Sequence, residues 1–146
     1  MSDGALAGRA ALVTGGSRGI GRGIALALAA AGADVALSYR RDEDSARSAV
    51  AEIEGLGVRG VAVQASMEAP PDLERAVDEA REALGPIDLL VSNAGLASRG
   101  NTVADTDPAE MERLFQAHVM AAHRLTRLLI DDLRVAPRGD VIVISS

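Results

Sequence analysis

The sequence predicts an α/β protein, a doubly wound parallel sheet with helices on both faces. Three observations predict it. Short, continuous apolar runs alternate strictly with segments of helical periodicity, the pattern of strands buried on both faces and joined by crossover helices. A glycine-rich stretch, "TGGSRGIG" (14–21), joins the first apolar run to the first helical segment. The chain has 146 residues, 48% of them hydrophobic and 1% aromatic, so a single domain over 1–146 with a core of Ala, Val, Leu and Ile is expected. Right-handed crossovers then order five strands as 3-2-1-4-5.

"AALVT" (10–14) is the first strand. From Gly19 to Ala31, Ile20, Ile24 and Leu28 recur every four residues, and Gly32 stops the helix. "DVALS" (34–38) is the second strand. Asp42 caps a helix whose inner face is Ala46, Ala49, Val50 and Ile53, ending near Gly55 or Gly57. "GVAVQ" (60–64) is the third strand. Pro70 and Pro71 open a helix with Leu73, Ala76, Val77, Ala80 and Leu84 inward, and Gly85 ends it. "IDLLVS" (87–92) is the fourth strand, followed by a loop over about 93–106. Asp107 as cap, Pro108 at the first helical position and Glu110 at the third start the longest helix. Its apolar stripe includes Met111, Leu114, Phe115, Val119, Ala122, Leu125 and Leu129, wide enough to bury two sides. "APRGD" (136–140) turns into a last strand over Val141–Ile144, read as buried.

Composition excludes several classes. Net charge is −6, which argues against general nucleic-acid binding. The scarcity of aromatics argues against base-stacking platforms. The absence of cysteine excludes disulfides and thiolate metal sites and suits a reducing compartment, and no metal site is expected. The sequence shows no secretory leader and no apolar run long enough to span a bilayer, so a cytoplasmic protein without membrane partners is expected. All fifteen basic residues are Arg, and the one Tyr is Tyr39.

In "TGGSRGIG", Gly15, Gly19 and Gly21 suit a tight turn, close approach of a ligand and close helix–sheet contact. The helix start that follows offers free N–H groups to a phosphate. Gly16 and Gly21 have the spacing of a nucleotide-hydrolase phosphate loop. Arg22 and Gly23 stand where that loop needs Lys and Ser or Thr, so it is rejected. Together with "LLVSNAG" (89–95) and "VIVISS" (141–146), in that order, the loop resembles the short-chain dehydrogenase/reductase family over essentially the whole chain. Bacterial 3-oxoacyl-carrier-protein reductases and similar carbonyl reductases look most alike. The resemblance implies a Rossmann-like fold, a nicotinamide dinucleotide, a small carbonyl or alcohol substrate and a homo-oligomer.

The same resemblance implies the cofactor contacts. They are Gly15, Ser17, Arg18, Gly19, Ile20 and Gly21 in the loop, and Tyr39, Arg40 and Arg41 after the second strand. Ala65, Ser66 and Met67 follow the third strand, and Asn93, Ala94 and Gly95 the fourth. Family members that use NAD commonly carry Asp where this chain has Tyr39. Guanidinium groups at Arg40 and Arg18 suit a 2′-phosphate, so NADP(H) is expected. Arg40 and Arg41 are also consistent with a solvated loop. Ser66 replaces a frequent adenine-contacting Asp, and Ser92 replaces the first Asn of the common "NNAG". Asn93 is expected to brace the sheet.

For catalysis the family uses a Ser after the fifth strand, a Tyr, a Lys four residues beyond it, and an Asn in the long helix. Ser146 occupies the Ser position, with Ser145 a strand-end residue, and His118 occupies the Asn position. His118 is equally consistent with a partly buried helix histidine. No Lys is present and Tyr39 falls at the cofactor's far end. The expectation is therefore a cofactor site and the first edge of an active site. The acid–base pair, normally a contribution of about 10²–10⁴-fold, would lie in a C-terminal portion of a longer reductase. A non-catalytic NADP-binding or sensing module is the alternative.

Overall fold

The computed structural model describes residues 4–145. Five parallel strands, β1 (Ala10–Val13), β2 (Asp34–Tyr39), β3 (Gly60–Gln64), β4 (Leu89–Ser92) and β5 (Asp140–Val143), pair in the order β3-β2-β1-β4-β5. The helices are α1 (Gly19–Ala30), α2 (Glu43–Gly55), α3 (Pro70–Leu84), α4 (Pro108–Phe115) and α5 (Ala121–Val135). Successive strand residues point to opposite faces, so each strand serves two cores. Leu12, Ala36 and Leu90 pack with Leu73, Val77, Leu125 and Leu129 under α3 and α5. Val13, Leu37 and Val91 pack with Ala25, Ala29, Ala46 and Ile53 under α1 and α2.

Most helix ends follow the expected chemistry. The Asp42 carboxylate accepts from the Ser45 N–H at 2.9 Å and the Ser45 hydroxyl at 2.7 Å. Gly32, at φ 102°, closes α1: its N–H donates to the Ala29 carbonyl and the Ala33 N–H to the Leu28 carbonyl. That is the two-bond left-handed cap that glycine makes possible.

Four expectations are corrected. The buried stripe of α1 is Gly21, Ala25 and Ala29, one position on from the Ile20–Ile24–Leu28 row, and Ile20 is 70% exposed. Small residues let α1 lie close to the sheet, while Ile24 and Leu28 pack along its flank. The long helix runs unbroken over 108–135 but widens within: Gln116–Met120 forms a π turn, with the Ala121 N–H reaching back to the Gln116 carbonyl. The Glu110 side chain accepts from the Arg99 N–H at 2.8 Å rather than closing a capping box. Finally, Val141, Ile142, Val143 and Ile144 are 38–54% exposed, so β5 is not a buried strand, because no described element covers its flank. Met111, Phe115 and Val119 are likewise exposed, so the second side of the long helix is uncovered among the described residues.

Ion pairs gather where the strands begin. Arg9, with its side chain 12% exposed, donates to the Asp88 carboxylate at 3.3 Å, the Asp140 carboxylate at 2.8 Å and the Asp88 carbonyl at 3.0 Å. It thereby ties the starts of β1, β4 and β5. Asp132 accepts from Arg81 Nε at 2.8 Å and from the Ile87 N–H at 3.1 Å. Burial pushes the Asp132 carboxyl up, but those two hydrogen bonds and the guanidinium charge outweigh it, so the group sits below its ordinary value. No helix among the described residues is long and apolar enough to cross a membrane.

Candidate functional site

The strands end on an open cleft of about 700 Å³, a volume typical of cofactor sites. It lies where the sheet order reverses between β1 and β4, the switch point at which doubly wound folds bind ligands.

The glycine loop forms its floor. The Gly15 N–H donates to Ser38 Oγ at 3.1 Å and the Gly16 N–H to the Ser38 carbonyl at 3.0 Å, fixing the turn to β2. Gly21 sits against the turn: a Cβ there would lie 2.1 Å from the Gly15 carbonyl oxygen. Arg18 precedes α1 with extended backbone and no capping side-chain bond, and the first turn carries no acid. The leading N–H groups of α1 are thus free of side-chain partners and carry the helix's partial positive charge. This contrasts with α2, whose cap is Asp42 and whose first turn holds Glu43 and Asp44. Arg22 fastens the loop from behind, donating to the Ser17 carbonyl, the Ser45 carbonyl, Ser48 Oγ and Glu52.

The opposite wall comes from β4. Thr14 Oγ1, buried, accepts from both the Asn93 and Ala94 N–H groups at 2.9 Å. The Asn93 amide returns a bond to the Thr14 carbonyl at 3.2 Å and approaches the Gly15 carbonyl at 3.4 Å. Asn93 therefore stitches the ends of β1 and β4 together, a bracing role.

At the β2 end the cleft is basic. Tyr39, Arg40 and Arg41 line it, with Arg18 across from them. Arg18 lies 3.8 Å from the Asp42 carboxylate and Arg40 lies 3.6 Å from that of Glu68. The Ser45 N–H first, then its hydroxyl, hold the Asp42 carboxyl below its ordinary value; burial opposes them and Arg18 adds to them. Ala65, Ser66 and Met67 complete this end. The Ser66 N–H is held by Asp72 at 2.9 Å.

Of the residues read as cofactor contacts, Gly15, Ser17, Arg18, Ile20, Gly21, Tyr39, Arg40, Arg41, Ala65, Ser66, Met67, Asn93, Ala94 and Gly95 all line this one cleft. Gly19 does not; it sets the helix start with φ 56°. Ser38, Asp42, Glu68 and Leu96 line it and were not anticipated. Asp42 had a visible role as a cap, which masked the second. Glu68 carried no signal beyond its place one residue after Met67.

His118 lies outside the cleft lining, in the π turn. Its Nε2 is 2.8 Å from the Leu96 carbonyl oxygen and 3.1 Å from the Leu96 nitrogen, so either tautomer bonds this backbone. Its ring abuts Gly95, where a Cβ would fall 2.4 Å from Cε1. It is exposed rather than partly buried, and it clasps the strand-end turn. Ser145 follows β5 as an exposed residue, and Ser146 lies outside the described residues.

A doubly wound sheet with an uncapped helix start and a basic far end is the arrangement of the Rossmann-like class of folds. The particular family is shown by comparison: residues 9–146 match the short chain dehydrogenase family, and the chain belongs to it. A hydroxynaphthalene reductase of Aspergillus fumigatus is 37% identical over 141 residues, covering 97% of this chain and 50% of that protein. A short chain dehydrogenase from Burkholderia cenocepacia, solved in complex with NADP, superposes with a TM-score of 0.91. Its identity is 39%, over 97% of this chain and 56% of that one. A 7α-hydroxysteroid dehydrogenase complexed with NADH and 7-oxo glycochenodeoxycholic acid gives a TM-score of 0.88 at 32% identity, over 97% of this chain and 54% of that one. The chain spans about half the length of the curated relatives it matches.

Proposed function

We propose that this chain is the cofactor-binding portion of a cytoplasmic, NADP(H)-dependent oxidoreductase acting on a small carbonyl or alcohol. One observation carries the reading. The uncapped start of α1 and the guanidinium groups of Arg18, Arg40 and Arg41 face one cleft, with Tyr39 where a ribose-binding carboxylate would stand. The N–H groups of α1 would hold the pyrophosphate, Arg18 and Arg40 the 2′-phosphate, and Ala65–Met67 the adenine side. Asn93, Ala94 and Gly95 would admit the nicotinamide ribose. A nicotinamide, when bound, supplies or accepts a hydride. His118 would support the reaction by fixing Gly95 and Leu96 beside that ring, and Ser146 would hold the substrate oxygen. The exposed face of Met111, Phe115 and Val119 supports self-association through the long helix.

A second reading, a non-catalytic NADP-binding module, is supported by the departures within the chain itself: His118 where the family has Asn, Ser66 where it often has Asp, and Ser92 in place of the first Asn of "NNAG". Titration calorimetry of the whole protein with NADPH and NADH tests both. NADPH is expected to bind at least about tenfold tighter, a difference of about 1.4 kcal/mol. Equal affinities would refute the cofactor assignment. Tight NADPH binding without oxidation by a panel of ketones would favour the second reading.

A further inference from the structure

We propose that Glu68 sets the strength of discrimination between phosphorylated and unphosphorylated dinucleotides by competing with a 2′-phosphate for Arg40. The proposal rests on the cofactor reading above and concerns a residue that reading does not use. Glu68 is not a freely moving surface acid. It sits in a turn closed by the Ala69 N–H on the Ser66 carbonyl at 3.1 Å, and the turn is fixed at its start by the bond from the Ser66 N–H to Asp72 at 2.9 Å. Its partner is held as well: Gln64 Nε2 donates to the Arg40 carbonyl at 3.0 Å, fixing the Arg40 backbone beside β3. Between these two anchored backbones the carboxylate and guanidinium lie 3.6 Å apart, with side chains 24% and 45% exposed.

The charge balance gives the pair its meaning. The ribose end of the cleft holds Arg18, Arg40 and Arg41 against Asp42 and Glu68. Asp42 is committed to capping α2 and facing Arg18, so Glu68 is the carboxylate that neutralises Arg40. A dianionic phosphate arriving at Arg40 must displace Glu68 or remain beside it, and like charges at such range repel. A ribose carrying a 2′-hydroxyl meets neither cost. Glu68 therefore lowers affinity for the phosphorylated cofactor selectively, narrowing a preference that the arginines alone would make steeper.

Equilibrium binding of NADP⁺ and NAD⁺ to the whole protein and to its Glu68→Gln variant tests this. The variant is expected to bind NADP⁺ about three- to tenfold tighter and NAD⁺ within about twofold of the parent. In an Arg40→Gln background the gain should largely vanish. Unchanged NADP⁺ binding, equal tightening of both dinucleotides, or full persistence of the gain without Arg40 would each overturn the proposal. Glu68→Ala, read the same way, keeps the test decisive should the glutamine variant misfold. If the parent protein binds neither dinucleotide, the cofactor reading fails and takes this proposal with it. If it binds NADP⁺ and the variants do not differ, only the role of Glu68 fails.

Discussion

Gly21→Ala is the sharpest probe of the glycine loop. The added Cβ would stand 2.1 Å from the Gly15 carbonyl oxygen, 2.5 Å from Asn93 Nδ2 and 2.8 Å from the Gly15 carbonyl carbon. Reaching ordinary contact at 3.4 Å requires the loop and helix to part by about 1.3 Å at the oxygen. Two of the obstructing atoms are backbone, held in turn by the bonds from Gly15 and Gly16 to Ser38, so no side-chain rotation relieves the clash. Overpacking of this kind costs about 1–3 kcal/mol. For a chain of this size that is a melting-point fall of roughly 3–10 °C. On the proposed cofactor reading, the same shift moves the α1 N–H groups away from the dinucleotide's pyrophosphate. Losing one charge-assisted bond, about 1.5–3 kcal/mol, weakens NADP⁺ roughly 10- to 100-fold. Gly23→Ala is the matched control, because its Cβ meets nothing within 4 Å outside its own helix. It should raise stability by about 0.5–1 kcal/mol and leave affinity unchanged. Scanning fluorimetry and titration calorimetry read both quantities. If the two variants bind NADP⁺ alike, the close-packed loop is not what shapes the site.

Asp132, held below its ordinary value, contributes stability that is complete above the usual carboxylate range and is lost as pH falls through its depressed value. Asp132→Asn should cost about 1–2 kcal/mol at neutral pH and flatten the acid limb of urea-unfolding stability below the ordinary carboxylate range. An unchanged slope there would exclude the Arg81 pair as its source. On the self-association proposed above, Phe115→Glu, which places a charge on the exposed helix face, should shift sedimentation velocity toward smaller species; no shift would refute association through that face. His118→Ala releases Leu96, so backbone hydrogen exchange should quicken about tenfold or more at Leu96 while β1 stays protected. Equal protection in both proteins would contradict the clasp.

The sheet was legible because buried parallel strands write themselves as unbroken apolar runs, and the crossover rule then leaves one strand order. α3 was read to the residue, since Leu73, Ala76, Val77, Ala80 and Leu84 all face inward. α1 was placed correctly, but its buried row was not legible because it is Gly21, Ala25 and Ala29, which carry little hydrophobic signal; Ile20, expected as a cofactor contact, lines the cleft. The π turn had no signature in composition or spacing. The cleft's glycines and arginines were legible through motif chemistry. Glu68 was not, because its importance comes from a partner 28 positions earlier in the chain that only the fold brings near.

The ion pairs at one end of the sheet and the cleft at the other divide the molecule's tolerance to change. Arg9 fastens three strands through Asp88 and Asp140 at the end remote from the glycine loop. Anchorage at that rim comes from residues that lie outside the cleft. Selection, or a protein engineer, can therefore rewrite Arg18, Arg40 and Glu68 in the cleft without loosening the strands that carry them.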